Sequence, residues 1–169
     1  MARYFNISGE LTQELLAPGD NTNVSKIFLT NIQKVSKCKV DLYVEKNLKG
    51  KFYILKGVEL PKGVTLVYDN VKFDNSINEF GLYIKLTDGA TFTLTGSIDP
   101  AASVIVPGSG TAFLTEVSIG DELVVSGETR IVTDIISDTS LTVSVAFSNN
   151  SNDATPDINP VAPIDVILS

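Results

Sequence analysis

Residues 39–45, Lys-Val-Asp-Leu-Tyr-Val-Glu, alternate polar with apolar side chains, which is the period of a strand with one buried face. The polar stretch at residues 46–50 predicts a turn, and residues 51–55, Lys-Phe-Tyr-Ile-Leu, are predicted to pair back on the first strand as a β-hairpin. Three side chains of the first strand are predicted to face the core: Val40, Leu42 and Val44.

Turn signals recur between short apolar runs along the rest of the chain. Pro-Lys-Gly at residues 61–63 and Thr-Asp-Gly-Ala at residues 87–90 each predict a hairpin, as do the turns at residues 126–129 and 137–140. Only residues 10–16 have helical composition, and they support one or two turns at most. The chain is therefore predicted to be all-β.

A step in charge divides the chain. Residues 1–96 carry 12 basic and 10 acidic side chains, net +2, whereas residues 97–169 carry 1 and 10, net −9. We therefore expect two domains, followed by a polar linker with a C-terminal strand or arm. Their predicted bounds are 1–98 for an immunoglobulin-like β-sandwich, 99–150 for a small SH3-like β-barrel, and 151–169 for the linker and tail.

The C-terminal strand, residues 163–168, has two alternative placements. It pairs back with the first domain, which makes the second domain an insertion, or it adds to a neighbouring subunit. The sequence favours neither.

Composition disfavours several classes of function. The chain has no histidine, one cysteine (Cys38) and no tryptophan, so a histidine-based catalytic triad, an intrachain disulfide and a thiolate metal cluster are excluded. We expect no enzyme activity and no cofactor. The net charge of −7 disfavours nucleic acid as a partner, and no apolar run is long enough to predict a membrane span.

Acidic turns in the second domain are candidate metal sites. Gly120-Asp121 is interpreted as a tight turn whose carboxylate caps the next backbone amides, rather than as a metal or phosphate corner. Asp134 and Asp138, with Asp121 or Glu122, lack the spacing of a calcium loop and are interpreted as solvated carboxylates. No metal site is predicted.

Residues 109–147 resemble a small β module that recurs in virion structural proteins of tailed bacteriophages. The resemblance rests on Gly110-Thr111, Phe113, Gly120-Asp121 and the turn and strand at residues 138–143. Residues 53–67, with a Tyr-Ile-Leu-Lys strand, a Leu-Pro-Lys-Gly turn and a Thr-Leu-Val strand, are similar in pattern to other phage proteins.

This resemblance implies a non-enzymatic structural protein of the virion, assembled in the host cytoplasm. It implies a neck or tail accessory component or a capsid decoration, with other virion proteins and further copies of the same chain as partners. The alternative is a receptor- or glycan-binding module of an external fibre or spike. A concave patch of four tyrosines would favour that alternative: Tyr43, Tyr53, Tyr68 and Tyr83.

The predicted assembly contacts lie at both ends of the chain and on the lysine-rich turn. Extended terminal segments can join the open sheet edge of a neighbour, and the lysines can meet an acidic partner or protect an edge from pairing. These candidates are Ala2, Arg3, Tyr4, Phe5, Lys46, Lys49, Lys51, Ile164, Val166 and Leu168.

Overall fold

The fold is that of a computed structural model, which describes residues 1–76, 79–100, 102–148 and 151–169. The elements are, in chain order, β1 (Arg3–Ser8), β2 (Gln13–Leu16), β3 (Asn23–Asn31), β4 (Cys38–Lys46), β5 (Gly50–Leu60), β6 (Thr65–Asp74), β7 (Gly81–Thr87), β8 (Phe92–Thr93), β9 (Ser97–Ile98), β10 (Ile105–Ser109), α1 (Phe113–Glu116), β11 (Glu122–Val125), β12 (Glu128–Ser137), β13 (Ser140–Val143), β14 (Asp157–Asn159) and β15 (Pro163–Leu168). The predicted all-β class is confirmed.

The chain divides into two compact units. Unit 1 consists of residues 1–32, 37–88 and 162–169, and unit 2 consists of residues 33–36 and 89–161. Because β15 returns to unit 1, unit 2 is inserted into unit 1, which decides between the two placements of the tail.

The unit boundaries differ from the predicted ones. Residues 89–98 belong to unit 2 and not to the first domain, because β8 and β9 pair in the sheet of unit 2. Residues 151–161, expected as a linker, also belong to unit 2, where Asp153 exchanges backbone hydrogen bonds with Ile98 at 2.9 Å each. Ala101, Asn149 and Asn150 of the predicted barrel lie outside the described residues.

Unit 1 is a sandwich of two four-stranded antiparallel sheets. The first sheet has the order β1-β15-β3-β6 and the second has the order β2-β7-β4-β5. Eight strands divided between two sheets in this order form a jelly roll. The immunoglobulin-like topology predicted from strand spacing is therefore wrong, because that fold needs a different order and its strands A and B lie in one sheet.

The core of unit 1 lies between the two sheets. Val40 and Leu42 are fully buried in it and Val44 packs against it, as the alternating pattern predicts. Each fully buried aliphatic side chain of this kind contributes about 1.5–3 kcal/mol relative to exposure.

Two predicted hairpins are instead crossings of the chain. At residues 61–63 the turn forms, with the Val64 amide donating to the Pro61 carbonyl at 3.2 Å, but β5 pairs with β4 whereas β6 pairs with β3. The chain therefore passes from one sheet to the other. The second turn signal, at residues 87–90, follows β7. Strand β7 belongs to unit 1 whereas β8 pairs with β14 in unit 2, so the chain leaves unit 1 for the insertion at this turn.

The predicted helical turns at residues 10–16 are also wrong. Residues Gln13–Leu16 form β2, which pairs with β7 and buries Leu15 and Leu16 in the core. Tertiary pairing outweighs weak helical propensity over so short a segment.

Unit 2 is a curled antiparallel sheet with the order β8-β14-β11-β12-β13-β10-β9. The first part of β12 pairs with β11 and the second part pairs with β13, which bends the sheet. The backbone bridge between Ile98 and Asp153 joins the β9 end to the segment that leads into β14. The seven described strands thus close around a core that includes Phe113, Leu123 and Leu141.

Candidate functional site

The N-terminal strand β1 forms an edge of the first sheet. Its inner side pairs with β15, and its outer side has no neighbouring strand among the described residues. Tyr4 is 72% exposed on this edge and Phe5 is half-buried, whereas Arg3 already forms an ion pair with Asp20 at 2.5 Å and a hydrogen bond to Thr22. Of the N-terminal candidates, Tyr4 therefore offers the free side chain.

The C-terminal candidates lie in a different environment. Strand β15 is internal, with β1 on one side and β3 on the other, and Ile164, Val166 and Leu168 are buried in the core of unit 1. Both backbone edges of the strand are therefore occupied within the chain. This corrects the prediction that these residues form an arm to a neighbouring subunit.

Three tyrosines form a row across the outer face of the second sheet. Tyr43 of β4 lies directly opposite Tyr53 of β5 and Tyr83 of β7 in the strand register. The ring centroids of Tyr43 are 5.4 Å from Tyr53 and 5.7 Å from Tyr83, the second pair stacked. Tyr68 lies on β6 in the other sheet, so three of the four predicted patch residues come together. Tyr43, Tyr53 and Tyr83 are called the tyrosine row below.

Lysine ammonium groups cover the rings of this row. Lys51 Nζ lies 4.6 Å from the Tyr43 ring centroid and Lys56 Nζ lies 4.7 Å from that of Tyr53, which are cation–π distances. The hydrogen bond from Lys51 to the Tyr43 hydroxyl, at 3.4 Å, raises the pKa of the Lys51 ammonium, which stays charged. Tyr43 is consequently only 2% exposed.

A groove of about 510 Å³ runs beside the tyrosine row. The rings of Tyr43 and Tyr83 line it together with Thr12, Asn47 and Lys51. The Tyr83 hydroxyl donates to the Glu14 carboxylate at 3.1 Å. Burial raises the pKa of Tyr83, and this hydrogen bond raises it further by a smaller amount. Aromatic surface thus lies beside both donors and acceptors.

The tip of the β4–β5 hairpin projects an apolar residue into solvent. Leu48 is 98% exposed with φ of 63°, and the turn is closed by the Lys49 amide donating to the Lys46 carbonyl at 3.0 Å. Phe52, on the following strand, is 54% exposed. Residues 46–56 contain four lysines and no acidic residue, and this segment is called the lysine hairpin.

Two lysines of the hairpin also form ion pairs within the chain. Lys46 Nζ lies 3.6 Å from Glu79 and Lys51 Nζ lies 3.8 Å from Glu45. Lys49 sits at the exposed turn. The predicted lysine candidates are thus brought together on one hairpin.

Asp121 in unit 2 is a buried structural carboxylate. Its oxygens accept the Ser118 amide at 2.8 Å, the Val161 amide at 2.9 Å and Gln33 Nε2 at 3.0 Å. Burial raises the pKa of the Asp121 carboxyl, and these donors oppose the rise. Asp121 therefore caps backbone amides, as interpreted, but these are the amide of Ser118, three residues earlier, and the distant amide of Val161 rather than the next amides along the chain.

Other chemistry is sparse in the described part of the chain. There, no group of three or more histidine, cysteine, aspartate or glutamate side chains is placed to hold a metal ion. Asp138 accepts the Leu114 amide at 3.0 Å. Cys38 is buried, and burial raises the pKa of its thiol to about 11. None of the described helices is long and apolar enough to cross a membrane.

These features define a class of protein: a two-unit all-β chain, with a jelly roll that carries an inserted small barrel and presents an aromatic and basic face. No family model and no curated protein matches the sequence. Among solved structures, the chain has a weak similarity to the crystal structure described as PBSX exported protein XepA. That similarity has 12% identity and a TM-score of 0.30 over 99% of this chain and 86% of that one. Likeness at this level carries no argument about fold or function.

Sequence reasoning missed Leu48, Phe52 and Gln33. For Leu48 a signal exists, because it is the one apolar residue within the polar turn at residues 46–50. Gln33 lies far from Asp121 along the chain, and no local pattern connects them.

Proposed function

We propose that this chain is a non-enzymatic structural protein of a tailed-phage virion, assembled in multiple copies at the neck or tail or on the capsid. The observation that carries the proposal is the jelly roll of unit 1, a fold used by viral capsid domains, with β1 open at its edge. Resemblance of residues 53–67 and 109–147 to virion proteins supports the same role. Its partners are other virion proteins and further copies of the chain, with no role for nucleic acid or membrane.

Assembly through β1 would use the unpaired side of that strand. The Gly9 amide donates to the Ala162 carbonyl at 3.1 Å, so alternation along the strand directs the amides of residues 4 and 6 away from β15. An extended segment of a neighbour can accept these hydrogen bonds and extend the sheet. Tyr4 would supply the side-chain contact.

Replacing Tyr4 with proline tests this edge. Proline removes the outward amide while leaving the bonds to β15 intact, because Tyr4 does not donate to β15, and Arg3 before it is already extended. Tyr4→Thr is the matched control, since it removes the ring and keeps the amide. We expect light scattering to show weaker self-association for Tyr4→Pro than for Tyr4→Thr; equal association would exclude this edge.

Membership of the virion is tested separately. Quantitative mass spectrometry of purified phage particles that carry the gene of this chain is expected to find more than one copy per particle. Absence from intact particles would contradict the proposed function, whatever the isolated chain does in solution.

A second candidate, a receptor- or glycan-binding module of an external fibre or spike, is favoured by the tyrosine row and its groove. Jelly rolls also occur in lectins, and sites that bind small molecules combine aromatic surface with a few polar groups. The groove beside Tyr43 and Tyr83 has that character.

Binding to arrayed host-envelope oligosaccharides tests the second candidate. Tyr53→Ala and Gly81→Ala are expected to reduce binding, the latter because an added Cβ would lie 2.7 Å from the Tyr83 ring and displace it. Tyr68→Ala is the control, since Tyr68 lies in the other sheet. Binding that is absent, or equally affected by Tyr68→Ala, would remove this candidate.

A further inference from the structure

The lysine hairpin has the composition of an interface centre. Leu48 and Phe52 expose apolar surface, and Lys49 stands next to Leu48 in the exposed turn of a segment that has four lysines and no acidic residue. Interfaces commonly place an apolar anchor inside a polar rim. This hairpin therefore suits an apolar partner surface with acidic residues around it.

The backbone at the tip adds an independent observation. Leu48 adopts a left-handed conformation, with φ of 63°, at a turn position that glycine or asparagine normally occupies. A bulky side chain in this region costs about 1–2 kcal/mol, and such strain persists at sites where it serves a function. In this case the strained residue presents its entire side chain to solvent.

Unit 2 has the complementary character. It contains two basic residues against nine acidic ones, a net charge of −7, whereas unit 1 has eleven of each sign. On the outer face of the β10-β13-β12 part of its sheet, Ile105, Thr142 and Asp134 are neighbours in the strand register. Ile136, two residues beyond Asp134 at an irregularity in the register of β12, is 57% exposed. Ile105, Asp134 and Ile136 are called the acidic–apolar face.

We propose that the lysine hairpin of one copy docks on the acidic–apolar face of unit 2 of a second copy of this chain. Leu48 would pack among Ile105 and Ile136, and Lys49 would lie near Asp134. Charge complementarity between the lysine hairpin, with Lys49 at its exposed turn, and a unit of net charge −7 selects this occupant.

Such a contact joins two different surfaces. In a pair of copies, one hairpin and one face stay unoccupied, so association continues into a ring or a filament rather than ending at a dimer. This inference rests on the proposed assembly in multiple copies and identifies the surfaces that produce it.

Charge reversal on each surface of the full chain tests the contact. Lys49→Glu and Asp134→Lys are each expected to weaken self-association in sedimentation velocity by about tenfold or more at low salt, because like charges then meet. The double variant is expected to recover association. An equimolar mixture of the two single variants is also expected to recover it, because the reversed hairpin of one variant then meets the reversed face of the other and the two unreversed surfaces meet as well. Lys62→Glu, at another exposed turn of unit 1, is the matched control and is expected to have no effect.

Leu48→Ser tests the apolar anchor without changing charge, with Leu11→Ser, at another exposed leucine, as its control. Loss of association for Leu48→Ser alone would support the inference. A wild-type chain that remains monomeric, a Lys49→Glu variant that behaves like Lys62→Glu, or a double variant that fails to recover would each overturn it. Particle composition still tests the proposed function in these cases, so the two failures are distinguishable.

Discussion

Asp121→Ala is expected to destabilise unit 2 strongly. The substitution removes the acceptor for the amides of Ser118 and Val161, and Gln33 loses its bond to this carboxylate while keeping its bond to the Val161 carbonyl at 3.0 Å. A buried donor left without an acceptor costs about 1–3 kcal/mol. Two orphaned amides, with a weakened third contact, give a loss of about 3–5 kcal/mol in the free energy of unfolding.

The conservative variant Asp121→Asn separates hydrogen bonding from packing. Its remaining oxygen can serve Val161 and Gln33, while its amide group faces the Ser118 N–H, so one bond is lost at a cost of about 1–2 kcal/mol. The free energy of unfolding of unit 2 in Asp121→Asn is therefore expected to lie between those of the wild type and Asp121→Ala.

Hydrogen exchange measured by mass spectrometry suits this test, because two units need not unfold as one two-state system. Protection of the β11 and β14 amides in unit 2 is expected to be highest in the wild type, lower in Asp121→Asn and lowest in Asp121→Ala. Amides of β4 in unit 1 serve as the internal reference. Unchanged protection of β11 in Asp121→Ala would refute the assigned role of this carboxylate.

Two further predictions concern Gly96 and Cys38. In Gly96→Ala the new Cβ would lie 2.5 Å from the Ser109 carbonyl oxygen at φ of +80°, so thermal denaturation is expected to show a much larger loss than for Gly110→Ala. In the control, Gly110 has φ of +65° with open space around it, so the added methyl group costs only the backbone strain of about 1 kcal/mol. Equal losses of stability in the two variants would contradict the predicted clash. Burial of Cys38, with a smaller effect of Asp88, raises the pKa of its thiol from 9.0 to about 11, so its stabilising contribution is complete below pH 9.0 and is lost as the pH rises to 11. Urea unfolding is expected to show about 2–3 kcal/mol more loss over this interval for the wild type than for Cys38→Ala, and parallel curves would contradict this.

Local sequence patterns predicted the parts of the fold that depend on neighbouring residues. The hairpin of β4 and β5, with Val40 and Leu42 inward, follows from period-two alternation around a polar turn. The hairpins β11–β12 and β12–β13 are confirmed for the same reason. Each of these pairings closes over a few residues, so the turn chemistry specifies it.

Strand order was not predictable in the same way, because it depends on pairing between distant segments. Strand β15 enters between β1 and β3, and its alternating burial fits an internal strand as well as an arm that joins another subunit. The tyrosine row also depends on pairing between distant segments. Tyr43 and Tyr53 meet within a hairpin, but Tyr83 joins them only because β7 pairs with β4.

The turn signal at Asp88-Gly89 marks the junction with the insertion rather than a hairpin. Asp88-Gly89 has the composition of a hairpin turn, yet the Asp88 carboxylate accepts the Ala162 amide at 2.6 Å. Ala162 in turn accepts the Gly9 amide, so the points where the chain leaves and re-enters unit 1 are held together by hydrogen bonds within that unit. A domain can be inserted where the two ends of the break lie close together, because the host fold then keeps its strand pairing. The jelly roll can therefore carry an acidic unit with a charge unlike its own, and the proposed contact between copies rests on this separation of charge.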